Sequence, residues 1–250
     1  MLPGAGYLRN QHSRLPEYLR RLLSYTQMDI EYTFWQMFYL CFNPSRVYRT
    51  TSWHKQTKNQ WARDDPAFVA ILLFFMSVAS MAFAVAFKVG GFIQIVKLMF
   101  WAVFFDFVTI GVITASIGWW LSNRYLRLRN SLHSVDQSVE WLYSFDIHCN
   151  SFFPLFLILY VVQFFLLPLL LSTSFFSTFL ANTLYLLAIA YYYYNTFLGY
   201  NALPFLQNQV VFLYPIAGLF VVYVISVVFN LNLCIFVMNT YFRTLTHSSQ

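Results

Sequence analysis

From Ile147 to Phe242 the chain runs for 96 residues without one Asp, Glu, Lys or Arg. A soluble domain carries about 25% charged residues, and its surface depends on them. No water-soluble fold accommodates such a stretch, so it must dissolve in lipid. Composition extends that conclusion to the whole chain: 59% of the 250 residues are apolar, 10% are charged, and the mean hydropathy is +0.57. The same apolarity excludes disorder. A formal charge of +6, thinly dispersed, does not make a nucleic-acid surface, so RNA is not an expected partner; it fits a head resting on an anionic phospholipid surface. Cys41, Cys149 and Cys234 form no CxxC pair and no disulfide framework.

A helix needs about 20 apolar residues to cross a bilayer. Five segments qualify: 67–87, which opens after Asp64-Asp65-Pro66; 98–121, which carries Asp106; 152–171; 175–199; and 210–238, long enough to tilt or to kink at Pro215. The sequence therefore predicts an all-α integral membrane protein. A head (1–66) precedes the five-span bundle (67–238), and a short tail (239–250) follows it. Spans three and four are joined by Ser172-Thr173-Ser174 and form a helical hairpin.

Orientation follows the distribution of Lys and Arg. A cytosolic N-terminus places 12 basic residues on the cytosolic side and 3 on the lumenal side, and the reverse orientation inverts that ratio. The expectation is a cytosolic head and a lumenal C-terminus. Trp119-Trp120 and Tyr191–Tyr194 then fall near the cytosolic boundary and Trp101 near the lumenal one. Span one acts as a signal anchor, with no cleavable signal expected. The one Asn-x-Ser/Thr site, Asn43-Pro44-Ser45, is disabled by its proline.

Within the head, Leu15, Tyr18, Leu19, Leu22 and Leu23 share a helical stripe over 15–28. Ile30–Phe42 is aromatic but too short to span, and it reads as an interfacial helix stopped by Asn43-Pro44. Two arrangements are compatible with this pattern. The helices can fold together as a small cytosolic cap, or their aromatic face can lie among headgroups while the other face meets a partner. The linker to span one holds Lys55, Lys58, Trp61, Arg63, Asp64 and Asp65, a basic string ended by an Asp-Asp-Pro stop. It can act as a polybasic juxtamembrane linker or as a partner-binding surface.

That string, Lys55-Gln56-Thr57-Lys58-Asn59-Gln60-Trp61-Ala62-Arg63-Asp64-Asp65-Pro66-Ala67-Phe68, resembles the signature of the Unc-fifty family of Golgi multispanning proteins. Three further blocks are similar to it. They are Tyr25–Asp29 with Glu31–Met37, Phe145–His148 with Asn150, and Thr196–Tyr200 with Ala202–Leu206. The resemblance implies a five-span protein of the Golgi membrane, with the inner nuclear membrane as a minor alternative. It implies delivery of cargo, including nicotinic-type receptors, to the cell surface, and a cytosolic partnership with a large Golgi exchange factor for ARF GTPases. RNA binding has also been attributed to the family.

Signatures of catalysis are absent: the chain has no HExxH, GxSxG, P-loop or GxGxxG. Neither a cofactor nor a metal site is expected. Asp146, His148 and Asn150, at the cytosolic mouth of span three, cannot converge on one ion, because helical positions i and i+2 point in opposed directions. Asp146 and Asn150 share a face there, suited to capping the helix or to docking a headgroup. Counted from the lumenal ends of their spans, Ser80, Asp106, Gln163 and Asn182 lie near one depth. Lipid offers such groups no partners, so they are expected to point inward as a polar layer, with Asp106 meeting Gln163 or Asn182. Two function classes follow. The first is a non-catalytic scaffold that fixes a cytosolic head for a trafficking partner. The alternative is a small-solute or lipid transporter or scramblase built around Asp106.

Overall fold

The computed structural model describes residues 29–50, 61–63, 65–128 and 137–247, with side chains as far as Phe242. The helix expected over 15–28, and Lys55, Lys58 and Asp64, lie outside the described residues. Among the described residues the chain is helical, with one isolated antiparallel bridge between Arg127 and Leu206. Two head helices, α1 (Ile30–Phe42) and α2 (44–50), precede five helices long and apolar enough to cross a membrane. The five are α3 (Ala67–Ala86), α4 (Phe92–Leu126), α5 (Trp141–Leu170), α6 (Phe175–Asn201) and α7 (Gln209–Val228). An eighth helix, α8 (Leu233–His247), follows.

Local chemistry sets these boundaries. Asp29 caps α1 by accepting the Tyr32 N–H at 2.9 Å, and Asn43-Pro44 ends the helix because proline cannot continue it. Ser174 caps α6 by accepting the Ser177 N–H. Gly91, at φ +86°, lets the chain turn back between α3 and α4. α5 is the central helix. It packs against α6 and α4 on two sides, and against α3 and α1 on others. The carbonyls of Leu40 and Cys41, at the C-terminal end of α1, accept from the Tyr191 hydroxyl at 3.0 and 2.9 Å, so α1 is pinned to α6 as well.

Span five corrects the expectation. The sequence predicts one helix over 210–238 with a tail after it; the structure has a break at residues 229–232 and a second helix beyond. Asn230 takes the left-handed conformation (φ 50°), and Asn232 caps α8 by accepting the Ile235 N–H at 3.1 Å. Asn182 of α6 closes the exposed backbone, donating to the Leu231 carbonyl and accepting the Leu233 N–H. Much of the expected tail is thus helix. Cys234, Met238 and Phe242 form a buried i, i+4, i+8 stripe on α8, and Phe242 stacks on Phe87 with ring centroids 4.1 Å apart.

Spans two and three also start earlier than expected, at Phe92 and Trp141 instead of residues 98 and 152. Both contain π-helical stretches, Ala102–Thr109 in α4 and Leu157–Val162 in α5. The second follows Pro154, whose missing N–H already interrupts the hydrogen-bond ladder.

Candidate functional site

Two polar constellations stand out against the apolar bundle. One lies at the head side, where α1, residues 61–63 and Asp65 meet the start of α5. The other lies inside the bundle.

At the head side, carboxylates receive the backbone of the linker. Glu140 accepts the N–H groups of Trp61 and Ala62, both at 3.2 Å, and Asp146 accepts that of Arg63 at 2.5 Å. Asp65 accepts the Ala67 N–H at 2.9 Å and the Asp29 N–H at 2.8 Å, tying α1 to the start of α3. A non-helical backbone against a membrane bundle must find acceptors within the protein, and these side chains supply them. The Arg63 guanidinium donates to Asn150 and lies 4.4 Å over the Phe68 ring. Trp61 is only 7% exposed, packed between Tyr143 and Phe205.

The expected partner surface therefore divides. Trp61, Arg63 and Asp65 turn inward and lock the linker to the bundle. Asp146 and Asn150 lie within α5, well past its first residue, and serve the linker instead of capping the helix. His148, on the opposite face of α5, joins neither. The helical face of α1 that could have met a partner, Thr33, Gln36, Met37 and Leu40, is buried. Its exposed stripe is Phe34, Phe38 and Phe42. Sequence reasoning missed Glu140, which stands just before the helix at a position that ordinarily marks a cap.

Close approach of helices holds the same region together. The Tyr143 hydroxyl donates to the Gly199 carbonyl at 2.8 Å, and a Cβ on Gly118 would lie 2.2 Å from the Tyr200 hydroxyl oxygen. Beyond α6, residues 205–207 pair with the end of α4 at the isolated bridge, through Leu128 N–H to Phe205 carbonyl and Gln207 N–H to Leu126 carbonyl.

The second constellation lines a cavity of about 380 Å³ bounded by α3, α4, α5, α6 and α8. Asp106 is its one Asp, Glu, Lys or Arg. The hydroxyls of Tyr160 and Tyr241 donate to its two carboxylate oxygens at 2.6 and 2.5 Å. Of the four residues of the expected polar layer, Ser80, Asp106 and Gln163 line this cavity and Asn182 does not, and none of the four bonds another. Asp106 meets neither amide; Gln163 donates to the Cys234 sulfur at 3.6 Å, Asn182 serves the break before α8, and Ser80 bonds its own Met76 carbonyl. Tyrosines of α5 and α8 hold the carboxylate instead, and both Asp106 and Tyr160 stand in π-helical stretches, where residue counting on a regular α-helix misjudges the direction of a side chain. At the other end of the cavity the His148 Nδ1 is 2.8 Å from the Tyr192 hydroxyl and 3.3 Å from that of Thr114. A Cβ at Gly111 would sit 2.6 Å from the His148 ring, so glycine is what lets the ring lie against α4. Among the described residues no cluster of three His, Cys, Asp or Glu is placed to hold a metal ion.

These features define a five-span helical membrane protein whose N-terminal linker is clamped to the bundle by carboxylates and whose interior holds a cavity with one acidic side chain, Asp106. The chain belongs to the UNC-50 family, whose model matches residues 18–242. It is 68% identical over 228 residues to "Protein unc-50 homolog" of Dictyostelium discoideum, covering 91% of this chain and 87% of that one. The "Protein unc-50 homolog" of Rattus norvegicus is 46% identical over 217 residues (86% and 82% covered), and "Protein unc-50 homolog A" of Xenopus laevis is 45% identical over 225 (88% and 85%). No solved structure matches the chain.

Proposed function

We propose that the protein is a non-catalytic scaffold of the Golgi membrane. In this reading its head faces the cytosol and recruits a large ARF exchange factor, supporting vesicular transport and delivery of cargo such as nicotinic-type receptors to the cell surface. The observation that carries this reading is the convergence at the head side. The blocks that carry the resemblance are far apart in sequence, yet Asp29 meets Asp65, Arg63 meets Asp146 and Asn150, and Trp61 meets Phe205. The described residues on either side of 51–60 are bonded in place: the Thr50 hydroxyl donates to the Val47 carbonyl and the Trp61 N–H to Glu140. Lys55 and Lys58 fall between them in the sequence. Charged groups of this kind govern encounter with a partner more than final affinity, so recruitment should weaken with salt.

The test uses full-length protein in reconstituted vesicles. Reversing both charges (Lys55→Glu with Lys58→Glu) should abolish capture of the exchange factor while leaving membrane insertion unchanged; undiminished capture overturns the reading. A second reading, a small-solute or lipid transporter or scramblase, draws on the Asp106 cavity. Selective flux in the same vesicles, abolished by Asp106→Ala, would favour it over the scaffold.

A further inference from the structure

The cavity around Asp106 is organised along its length. Asp106 and Thr114 lie on one helix eight residues apart, about 12 Å at 1.5 Å per residue. Between them the walls are apolar, with Ile110 on α4, Phe152, Leu155 and Leu159 on α5, and Ile189 on α6. Its volume falls within the roughly 300–1,000 Å³ of small-molecule sites. Ile110 is 49% exposed and Ile189 and Tyr193 are partly exposed, so the flank between α4 and α6 faces the bundle's surroundings, which for a span means lipid. α8 closes the Asp106 end with Val237, Met238, Tyr241 and Phe242.

His148, Tyr192 and Thr114 bond one another through the His148 Nδ1, and the His148 Nε2 is buried against α4 at Gly111. At the Asp106 end the Gln163 side chain is fully buried, and its Oε1 has no hydrogen-bond partner among the described residues. A buried carbonyl without a donor is destabilising, and a donor from a ligand would offset that cost. In the same cavity lining, the carboxylate of Asp106 has lone pairs beyond the two that the tyrosine hydroxyls use. The end therefore offers acceptors and asks for a donor.

We propose that this cavity is a binding site for a neutral membrane lipid with a single hydroxyl head, of the sterol class. The hydroxyl is placed against Asp106 and Gln163 and the ring system lies along the apolar walls toward Thr114. A phosphate or a fatty-acid carboxylate would meet Asp106 with no cation in the lining, since Lys97 lines an adjoining groove on the other side of Leu98 and Tyr241. Phe83, Phe152, Tyr185 and Tyr193 are among the lining residues and supply aromatic contact area for a rigid ring system. This site is independent of exchange-factor recruitment and stands or falls separately from it.

Full-length protein in nanodiscs is photolabelled with a diazirine- and alkyne-bearing cholesterol analogue, and the crosslinked peptides are mapped by mass spectrometry. Labels should fall on α4, α5 and α6 residues of the cavity and be lost under excess unlabelled cholesterol. Asp106→Asn should weaken that competition about tenfold, and Ile189→Trp, which fills the open flank, should suppress cavity labelling. Labels confined to outward faces such as Phe220–Ile225, or labelling that unlabelled cholesterol does not reduce, overturn the proposal. Stronger competition by sphingosine than by cholesterol overturns the neutral-head assignment, since the site would then be selecting a cation. Wild-type mapping and competition decide the matter even if a variant fails to fold.

Discussion

The Tyr160 hydroxyl and the Asp106 carboxylate meet at 2.6 Å across the second and third spans, each from a π-helical stretch of its own helix. A regular α-helix turns 100° per residue, so one π-turn is enough to move a side chain from one flank to the next. The contact therefore depends on backbone register as much as on residue type.

Removing that hydroxyl should be felt but not be fatal. Hydrogen bonds between membrane helices average about 0.6 kcal/mol and reach about 1.7. With a carboxylate as acceptor, Tyr160→Phe is expected near the top of that range. Tyr160→Phe with Asp106→Asn should cost less than the sum of the two single changes in a double-mutant cycle of unfolding free energies. Strict additivity would mean that the contact does not form.

The Glu140 clamp predicts a local effect without global loss. Glu140→Ala strips the acceptors from the Trp61 and Ala62 amides. Bonds to a charged group contribute about 1.5–3 kcal/mol, so exchange of these amides with deuterium should speed up about tenfold to a hundredfold. Amides in the middle of α6 should keep their wild-type rates. Unchanged exchange at 61–63 would show that the linker is held by other contacts.

Helix approach at Gly118 gives a steric prediction. A Cβ there would fall 2.2 Å from the Tyr200 hydroxyl oxygen and 2.9 Å from its ring carbon Cζ. Gly118→Ala should destabilise the protein by about 1–3 kcal/mol, as overpacking does. Tyr200→Phe added to it should recover part of the loss, because it removes the nearest atom. Thermal unfolding in detergent reads both steps, and failure of the second change to help would place the strain elsewhere.

Cys41 supplies a pH test. Burial in α1 pushes its thiol up from 9.0 to about 11. The unfolded chain releases this proton first, so the contribution of Cys41 to stability is whole below about pH 9 and declines as pH rises toward 11. At pH 7.4 its thiolate is about a hundredfold scarcer than that of an exposed cysteine, and alkylation should be slower by a similar factor. Cys149 and Cys234 are buried and should react after denaturation. Rapid alkylation of Cys41 at neutral pH in the folded protein would contradict its burial.

Much of this protein is legible in its sequence because lipid imposes a coarse rule. A charge-free run must be buried in apolar surroundings, its backbone bonds must be satisfied within helices, and a helix of given length crosses or does not. The all-α class, the five spans and the inward aim of Gln163, Asn182 and Ser80 follow from that rule. Even the break after span five had a local signal, the Asn230-Leu231-Asn232 triplet, with asparagine suited to both the left-handed turn and the cap.

What the sequence could not decide is which polar group meets which. Depth along a helix follows from counting residues, but azimuth drifts by 100° with each one, and the π-helical stretches reset it in α4 and α5. Tyr241 reaches Asp106 across 135 positions because α8 folds back against the bundle, and Glu140 reaches Trp61 across 79. The apolar pattern is blind to such pairings, since tyrosine and an N-terminal glutamate fit a span or its edge equally well without them. Lipid dictates that the chain be a helical bundle, whereas only the packing of helix against helix determines that Asp106 faces two tyrosines in a cavity and that the linker's Trp61 and Arg63 turn inward.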